Sequence, residues 1–265
     1  MLERHTGQTI LAIILLSLNW DRLCAFDTKV RLIGPVPAPI PSFAQAELAA
    51  GAKDRRRAEN GAWGPAMIIE HAGKAPRIHP EAWVAPDATV CGDVALGAGT
   101  RIMHGARLVA EGGAIAIGST CIVMENAVVR ATAGHDCRLG DHVLVGPNAH
   151  VVGATVEDEV FIATGAAVFH GSRLGRGSEV RVNGVVHLKT ELPPGKSVPI
   201  GWIACGTPAQ LFPPDQHDAL WAVQKPLNFP LAVYGFDRDT PDLMRRITQR
   251  LSERLGIHRG DGSAT

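Results

Sequence analysis

Aromatic side chains are scarce in this sequence. They make up 5% of its 265 residues and include a single tyrosine, whereas glycine and proline number 29 and 18. Few large rings and many turn-forming residues fit an aromatic-rich sandwich or a helical bundle poorly. With 46% hydrophobic and 20% charged residues the chain should fold, and we expect a thin core with frequent turns.

Charge of one sign is also missing. The 26 basic residues are matched by 26 acidic ones, so the formal net charge is zero. This balance argues against a nucleic-acid-binding surface built on bulk charge. The longest apolar run, residues 10–18, is far shorter than the ~20 residues that span a bilayer. We therefore expect neither a nucleic-acid nor a membrane partner.

Cysteines occur in a pattern that does not suggest pairing. There are five of them, an odd number, and no two form a Cys-x-x-Cys motif. A disulfide framework and a structural zinc knuckle are both disfavoured. Ordinary thiols in a reducing compartment are the simplest interpretation, which predicts a cytoplasmic location.

The first 66 residues differ from the rest of the chain. They hold the short apolar run, a proline-rich stretch at 35–41 and a basic cluster at 53–57, without a sustained helix or strand period. One interpretation is a disordered extension. A second is an over-long gene start, with Met67 as the true first residue. A third is a signal peptide, but Asp21 and Arg22 stand where a cleavage site should be small and neutral.

From residue 78 onward, aliphatic residues recur at a spacing of six. The series, with interruptions of three and four residues and one step of five, is Ile78, Val84, Val90, Leu96, Ile102, Leu108, then Ile117, Val123, Val129, then Leu139, Val145, Val151, then Val156, Ile162, Val168, Leu174 and Val180. Small residues usually follow four positions later, as at Ala82, Ala88, Thr100, Ala106, Cys121, Ala127, Ala149, Ala166 and Ser178.

A sustained spacing of six fits neither a helix nor a simple alternating strand. It fits a coiled strand with three short faces per turn, in which one aliphatic residue per face points inward. Three repeats make one coil of about 18 residues, so residues 78–187 predict about six coils. Stacked about 4.8 Å apart, these coils form an all-β solenoid roughly 29 Å long.

This pattern resembles the hexapeptide-repeat proteins, which implies a left-handed parallel β-helix. The segment 199–210 (PIGWIACGTPAQ) is similar to the exit from the coil in one branch, with its Gly-x-Pro-Ala signature. The start at Met67 and the five-after-six step across 145–156 resemble gamma-class carbonic anhydrases. The resemblance covers residues 67–212, which we take as the β-helix domain, and it leaves 1–66 unexplained.

A C-terminal α-helix is expected within residues 213–265, the predicted helical segment and tail. Thr240, Pro241 and Asp242 fit the N-cap, N1 and N2 positions, and Gly256 fits the end. The apolar stripe between them consists of Leu243, Met244, Ile247, Leu251 and Leu255.

The metal ligands of the resembled family are not matched here. Gamma-class enzymes hold zinc with three histidines at a subunit boundary of a trimer. The matching positions in this sequence are Arg130, Pro147 and Val152. Proline and valine offer no ligand, and arginine brings a positive charge. The resemblance thus implies zinc and a homotrimer, but the residues predict no metal at these positions, and the cofactor stays unknown.

The repeat register predicts two outward columns of residues. One holds His104, Glu125 and Pro147, and the other holds Val109, Arg130 and Val152. In the resembled family these columns face each other across the subunit boundary. His104, Glu125 and Arg130 are therefore a candidate polar cluster, and Glu125 could pair with Arg130 of a neighbouring chain.

Two further histidines complete the candidate catalytic set. His135 lies in the inserted stretch 131–136, and His150 is expected at an outward corner. The cluster has three alternative interpretations: ion-pair contacts at an oligomer interface, a site for an anion or acid–base chemistry, or a displaced metal site using His104, His135 or His150. Cys121 is expected in the core.

Three functions follow as alternatives. The first is a gamma-carbonic-anhydrase-like protein, inactive as a hydratase or working with altered ligands. The second is an acyltransferase that uses a thioester donor, with one of these histidines as the base. The third is a non-catalytic trimeric scaffold. An enzyme of this kind would be a carbonate dehydratase-like lyase or an acyltransferase, and its small-molecule substrate is unknown.

Overall fold

The computed structural model describes residues 66–264, and the extension expected before them lies outside this range. The described chain forms a parallel β-helix of about eight turns, followed by a short helical region. The strands are β1 (Met67–Glu70), β2 (Arg77–Ile78), β3 (Trp83–Val84), β4 (Thr89–Cys91), β5 (Val94–Leu96), β6 (Arg101–Ile102), β7 (Arg107–Glu111), β8 (Ile115–Ile117), β9 (Ile122–Val123), β10 (Val128–Thr132), β11 (Cys137–Leu139), β12 (Leu144–Val145), β13 (His150–Val152), β14 (Thr155–Val156), β15 (Phe161–Ile162), β16 (Ala167–Val168), β17 (Arg173–Leu174), β18 (Glu179–Val180), β19 (Val185–Val186), β20 (Glu191–Leu192), β21 (Ser197–Val198), β22 (Ile203–Cys205), β23 (Gln210–Phe212) and β24 (Gly262–Ser263).

The strands form three flat sheets around one core. The ten-stranded face runs in the order β23-β22-β19-β16-β13-β10-β7-β4-β1-β24. The second face, called the β2 face, runs from β2 through β5, β8, β11, β14 and β17 to β20. The third, called the β3 face, runs from β3 through β6, β9, β12, β15 and β18 to β21. All pairs are parallel except those made by β23 and β24.

The predicted inward column is confirmed. Its aliphatic residues from Val90 to Val180 are all buried. Equivalent residues on successive coils lie side by side, as Val123 does with Val145 and Val145 with Ile162. The small residues at the corners are buried too from Ala88 onward, and Ala82 in the first coil is partly buried. Cys121, one of them, is fully buried as expected.

Glycines after the aliphatic residues allow the coils to approach at one corner. A Cβ atom on Gly118 would lie 2.6 Å from the carbonyl oxygen of Gly140 and 2.4 Å from Asp141 Oδ1. Both distances are well below ordinary van der Waals contact, so only glycine fits there.

The solenoid is longer than the six coils that we expected. From Val186, buried Leu192, Val198 and Ala204 continue the spacing of six beyond residue 187, and β1 adds a strand before residue 78. The prolines of residues 193–199 lie between strands, where a missing N–H costs no ladder hydrogen bond.

The two interruptions of the repeat widen one corner, between the ten-stranded face and the β2 face. They lengthen β7 and β10 to five residues each. The second ends in a tight reversal, with a bridge between Thr132 and His135. A loop thus protrudes from this corner on two successive coils.

The helical region differs in detail from the expectation. It contains α1 (His217–Gln224), α2 (Phe229–Tyr234) and α3 (Leu243–Leu255), with 3-10 turns at Lys225–Leu227 and Gly256–Gly260. The α3 helix begins at Leu243 and not at Pro241, because Asp242 adopts a left-handed conformation at φ 53°. Of its apolar stripe only Ile247 is buried, and Met244 is 65% exposed. No helix within residues 66–264 combines the length and hydrophobicity needed to cross a bilayer.

The end of the chain returns to the first coil, which the sequence did not predict. After the second 3-10 turn, β24 pairs antiparallel with β1, bringing Ser263 opposite Ile69. Residues 256–264, called the tail here, therefore cover the outer side of the ten-stranded face at its first coils.

Candidate functional site

Both outward columns predicted from the register are present. Arg130 pairs with Val109 on one side and Val152 on the other. The corner column is held by main-chain hydrogen bonds at 3.0 Å, from Asn126 N–H to the His104 carbonyl oxygen and from Asn148 N–H to that of Glu125. The corner column lies just before β7, β10 and β13 begin, and the second column lies within these strands.

Arg130 is engaged within its own chain. Its Nη2 donates to Glu111 Oε2 at 2.5 Å, and the Glu111 side chain is only 11% exposed. Glu111 stands at the end of β7, at the first widened corner. The guanidinium thus stabilises a largely buried carboxylate, which is an intrachain alternative to the expected pairing with Glu125 of a neighbour.

His104 forms a pair with a carboxylate on the previous coil. Its Nδ1 lies 2.7 Å from Asp87 Oδ1, and both side chains are about half exposed. The ring of Trp83 lies edge-on to the imidazole, with centroids 6.1 Å apart. A carboxylate at Nδ1 fixes the orientation and tautomer of the imidazole, an arrangement suited to proton transfer.

His135 and His150 lie away from His104. His135 sits on the loop at the second widened corner and packs edge-to-face on His170, with centroids 5.3 Å apart. His150 is exposed, and it is the first residue of β13 rather than the corner residue that we expected. Partial burial and the nearby charge of Arg130 lower the pKa of His150.

Two buried histidines line the same face further along. His170 and His187 are each 7% exposed, and within the described residues the Nδ1 atom of each has no hydrogen-bond partner. Burial, followed by the charges of His135, Arg130 and His150, lowers the pKa of His170 to about 4. His170 is therefore neutral at physiological pH and a weak base.

The residues at the expected zinc positions do not fit the metal. Pro147 and Val152 have no donor atom, and the Arg130 guanidinium is occupied by Glu111. Among residues 66–264 of one chain, His104, His135 and His150 also do not converge within ligand distance of one another. The structure thus offers no zinc centre at the positions that the resemblance implies.

A different set of metal-ligating side chains does converge. His71, Cys91, His258 and Asp261 each present a ligand atom, and these atoms all lie within 4.8 Å of one another. Asp261 bridges the two imidazoles, since its Oδ1 lies 2.6 Å from His71 Nδ1 and its Oδ2 lies 2.6 Å from His258 Nδ1. We call these four residues the tail cluster.

Three parts of the chain build the tail cluster. His71 follows β1, Cys91 ends β4, and His258 and Asp261 come from the tail. The His71 and His258 rings stack with centroids 4.3 Å apart. The Cys91 thiol lies 3.9 Å from Asp261 Oδ2, and burial together with the carboxylates of Asp261 and Glu111 raises the pKa of Cys91 to about 11.

Arg130 and Glu111 border this cluster. His258 Nε2 lies 3.2 Å from Glu111 Oε1, whose other oxygen accepts from Arg130. A cavity of about 150 Å³ opens beside the two imidazoles; its lining includes Glu111, Leu255 and Ile257. The candidate residue Arg130 thus belongs to a network that extends to the tail.

The sequence contained part of the signal for the tail cluster. Cys91 pairs with Val109 and therefore belongs to the predicted column of Val109, Arg130 and Val152. The contribution of the tail residues His258 and Asp261 could not be predicted from the repeat. It depends on contacts between distant parts of the chain, since Asp261 is 170 residues from Cys91 and 190 from His71.

Comparison with known proteins agrees with the resemblance. Gamma carbonic anhydrase 1, mitochondrial, from Arabidopsis thaliana is 34% identical over 129 residues, which are 46% of this chain and 47% of that protein. A carbonic anhydrase from Geobacillus kaustophilus is 26% identical over 111 residues, 42% of this chain and 61% of that protein. The chain spans about half the length of the curated relatives it matches.

No protein-family model matches the chain. Among solved structures, a hexapeptide transferase family protein from Anaplasma phagocytophilum is 20% identical and aligns with a TM-score of 0.40, covering 73% of this chain and 97% of that one. The expected resemblance is confirmed: over about half of its length this chain is similar in sequence to gamma carbonic anhydrases, and its repeat of six residues folds as a parallel β-solenoid.

Proposed function

We propose that this chain forms a homotrimeric, gamma-carbonic-anhydrase-like protein whose subunit boundary does not carry out zinc-dependent hydration of carbon dioxide. The Arg130–Glu111 ion pair carries this proposal, because it places a fixed positive charge where a neutral ligand would be needed. Pro147 and Val152 remove the other two ligands.

An apolar stripe on the β3 face supports self-association. Ile122, Leu144 and Phe161 follow one another on successive strands and point outward, and Ile122 and Phe161 are 37% and 40% exposed. Trp83, 43% exposed, lies in the same column beyond Arg101, which separates it from the stripe. A second copy of this chain would remove these side chains from water, and cyclic symmetry would close the assembly.

The assembly is tested by light scattering at micromolar concentration. We expect the mass of three chains, and Phe161→Arg should shift the mass toward the monomer. Glu191→Arg, at an exposed position on the β2 face and away from the stripe, serves as a control. A monomer mass for the unaltered protein would contradict the trimer.

The missing zinc chemistry is tested by restoring its ligands. The variant Arg130→His/Pro147→His/Val152→His should gain one tightly bound zinc per subunit, because the register would place three imidazoles around one boundary. The background should carry Cys91→Ser, so that the tail cluster does not contribute a ligand set. Carbon dioxide hydration by the unaltered protein above the uncatalysed rate would overturn the proposal.

Acyl transfer from a thioester donor is the second candidate, and the His104–Asp87 pair favours it. His104 would take the proton of an acceptor hydroxyl or amine as the acceptor attacks the thioester carbonyl, and the thiol would leave. The pair lies at the corner beside the apolar stripe, so a neighbouring subunit would complete a cleft over it. Glu125, the next residue in the corner column, would then border the acceptor.

A thermal melt with and without acetyl-coenzyme A tests this candidate. Acyl transfer predicts that the donor raises the melting temperature and that donor hydrolysis or transfer falls at least about a hundredfold in His104→Gln. His79→Gln is a control at an exposed position on another corner. If acetyl-coenzyme A neither raises the melting temperature nor acylates an acceptor, the trimeric scaffold is the function that is left.

We place the protein in the cytoplasm on the basis of its thiols. Cys91, Cys121, Cys137 and Cys205 are all buried and unpaired with one another, which suits a reducing compartment.

A further inference from the structure

We propose that the tail cluster is a binding site for a divalent transition-metal ion, with Zn²⁺ as the best fit. His71, Cys91, His258 and Asp261 supply two nitrogens, one sulfur and one oxygen within 4.8 Å of one another. Mixed nitrogen, sulfur and oxygen donors select zinc and its transition-metal neighbours over magnesium or calcium, which prefer oxygen alone.

The spacing of the four donors suits a tetrahedral ion. Zinc–nitrogen bonds of about 2.0–2.1 Å and zinc–sulfur bonds of about 2.3 Å separate neighbouring ligand atoms by about 3.3–3.7 Å. The distance from Cys91 Sγ to Asp261 Oδ2 is 3.9 Å, and the two contacts of Asp261 to the imidazoles are 2.6 Å. Loss of those hydrogen bonds and a sub-ångström expansion on the Asp261 side would therefore admit the ion.

The surroundings of His258 match those of a metal ligand. With Nδ1 facing the other donors, its Nε2 faces Glu111 at 3.2 Å. A carboxylate on the outer nitrogen fixes the tautomer and orientation of a ligating imidazole. Arg130 holds Glu111 in turn, so the residue that replaces a ligand at the expected zinc position supports this second site.

Burial on one side and a cavity on the other define the access to the ion. His71 and Cys91 are 4% and 3% exposed, while the cavity beside the imidazoles would admit water or a small ligand. The site takes its ligands from both ends of the described chain, so the ion would fasten the tail to the first coil.

Cobalt binding is the direct test. The full-length protein, without a histidine tag and stripped by a chelator, is titrated with Co²⁺ and, in a separate sample, with Zn²⁺. We expect one ion per subunit and a thiolate-to-cobalt charge-transfer band, which zinc should then displace. The band reports a sulfur ligand, and the cleft positions Arg130, Pro147 and Val152 have none, so it separates this site from the family site.

Variants assign the site to its residues. Cys91→Ser should abolish the charge-transfer band, and Asp261→Asn or His258→Gln, both on the tail, should weaken zinc binding by about ten- to a hundredfold. Cys205→Ser and His142→Asn change the same residue types elsewhere and should leave binding unaltered.

Two results would overturn the proposal. One is that the stripped protein binds neither ion at micromolar concentration, in which case the hydrogen bonds alone hold the tail. The other is that binding in Cys91→Ser and Asp261→Asn equals that of the unaltered protein, which would place the ion elsewhere.

Discussion

The middle coils and the first coils of this β-helix are stabilised in different ways. Between β9 and β19 the inward aliphatic residues are buried by the coils directly before and after them. At the first coils the outward-pointing Cys91 is 3% exposed and lies against the tail, with its Sγ 3.9 Å from Asp261 Oδ2. A repeat therefore specifies the inside of the solenoid, whereas the chemistry on its outside depends on contacts between residues distant in sequence.

The largest effect should come from breaking the repeat in the middle coils. Leu174 is fully buried in the inward column, so Leu174→Ala should lower the free energy of unfolding by about 2–5 kcal/mol. Denaturant melts followed by circular dichroism measure this change.

The adjacent residue provides the matched control. Arg173 points outward, and its ion pair with Glu157 at 3.2 Å is exposed. Arg173→Ala should therefore cost less than about 1 kcal/mol. Equal costs at the two positions would contradict the account of the core.

A smaller effect should depend on pH and arise at His170. Its folded pKa is about 4, against an ordinary 6.5, because burial and the nearby His135, Arg130 and His150 disfavour the charged form. Below pH 6.5 the unfolded chain takes up a proton that the folded one does not, so stability falls as the pH drops from about 6.5 to about 4. The full loss would be about 3 kcal/mol.

The variant His170→Phe should flatten this part of the stability curve, as measured by denaturant melts across pH 4 to 7. The replacement removes no hydrogen bond of Nδ1, because this atom of His170 has no partner among the described residues. In the control His142→Asn, at an exposed corner, the pH dependence should be that of the unaltered protein. An unchanged slope in His170→Phe would mean that His170 does not stay neutral.

The smallest effect on stability should come from removing the tail. Ending the chain after Gly256 deletes β24 and both tail residues of the cluster but leaves every coil, so the melting temperature should change by a few degrees at most. In metal-free protein, however, labelling of Cys91 by a thiol reagent should speed up at least about tenfold.

Peptide mapping by mass spectrometry would follow each cysteine separately. Cys121 and Cys137 are buried by the coils themselves, so their labelling should not change on truncation. If Cys91 stayed protected in the shortened chain, the coils and not the tail would be covering it.

The spacing of six was enough to predict the solenoid and its register. Once the inward residues were known, counting three repeats placed Arg130 between Val109 and Val152 without any structure. The count of coils was too low because the repeat continues through Leu192 and Val198, where prolines in the turns obscured it.

The outer contacts were beyond such counting. Register places Glu111 opposite Thr132 on the neighbouring coil. It does not predict which nearby carboxylate the Arg130 side chain contacts. The start of α3 was misplaced by two residues, because Asp242 takes a left-handed conformation that a cap pattern does not reveal. The tail does not contain the repeat, so its pairing with β1 could not be predicted from the spacing of residues.

Reversal of the chain at both ends of the ten-stranded face has a consequence for solubility. A stack of parallel strands presents unpaired main-chain groups at each end, where further chains could add and extend it into a fibre. Here β23 and β24 occupy those two positions in the opposite direction. An incoming coil from another molecule would meet an antiparallel strand out of phase with its own repeat, so the face is protected against end-to-end polymerisation.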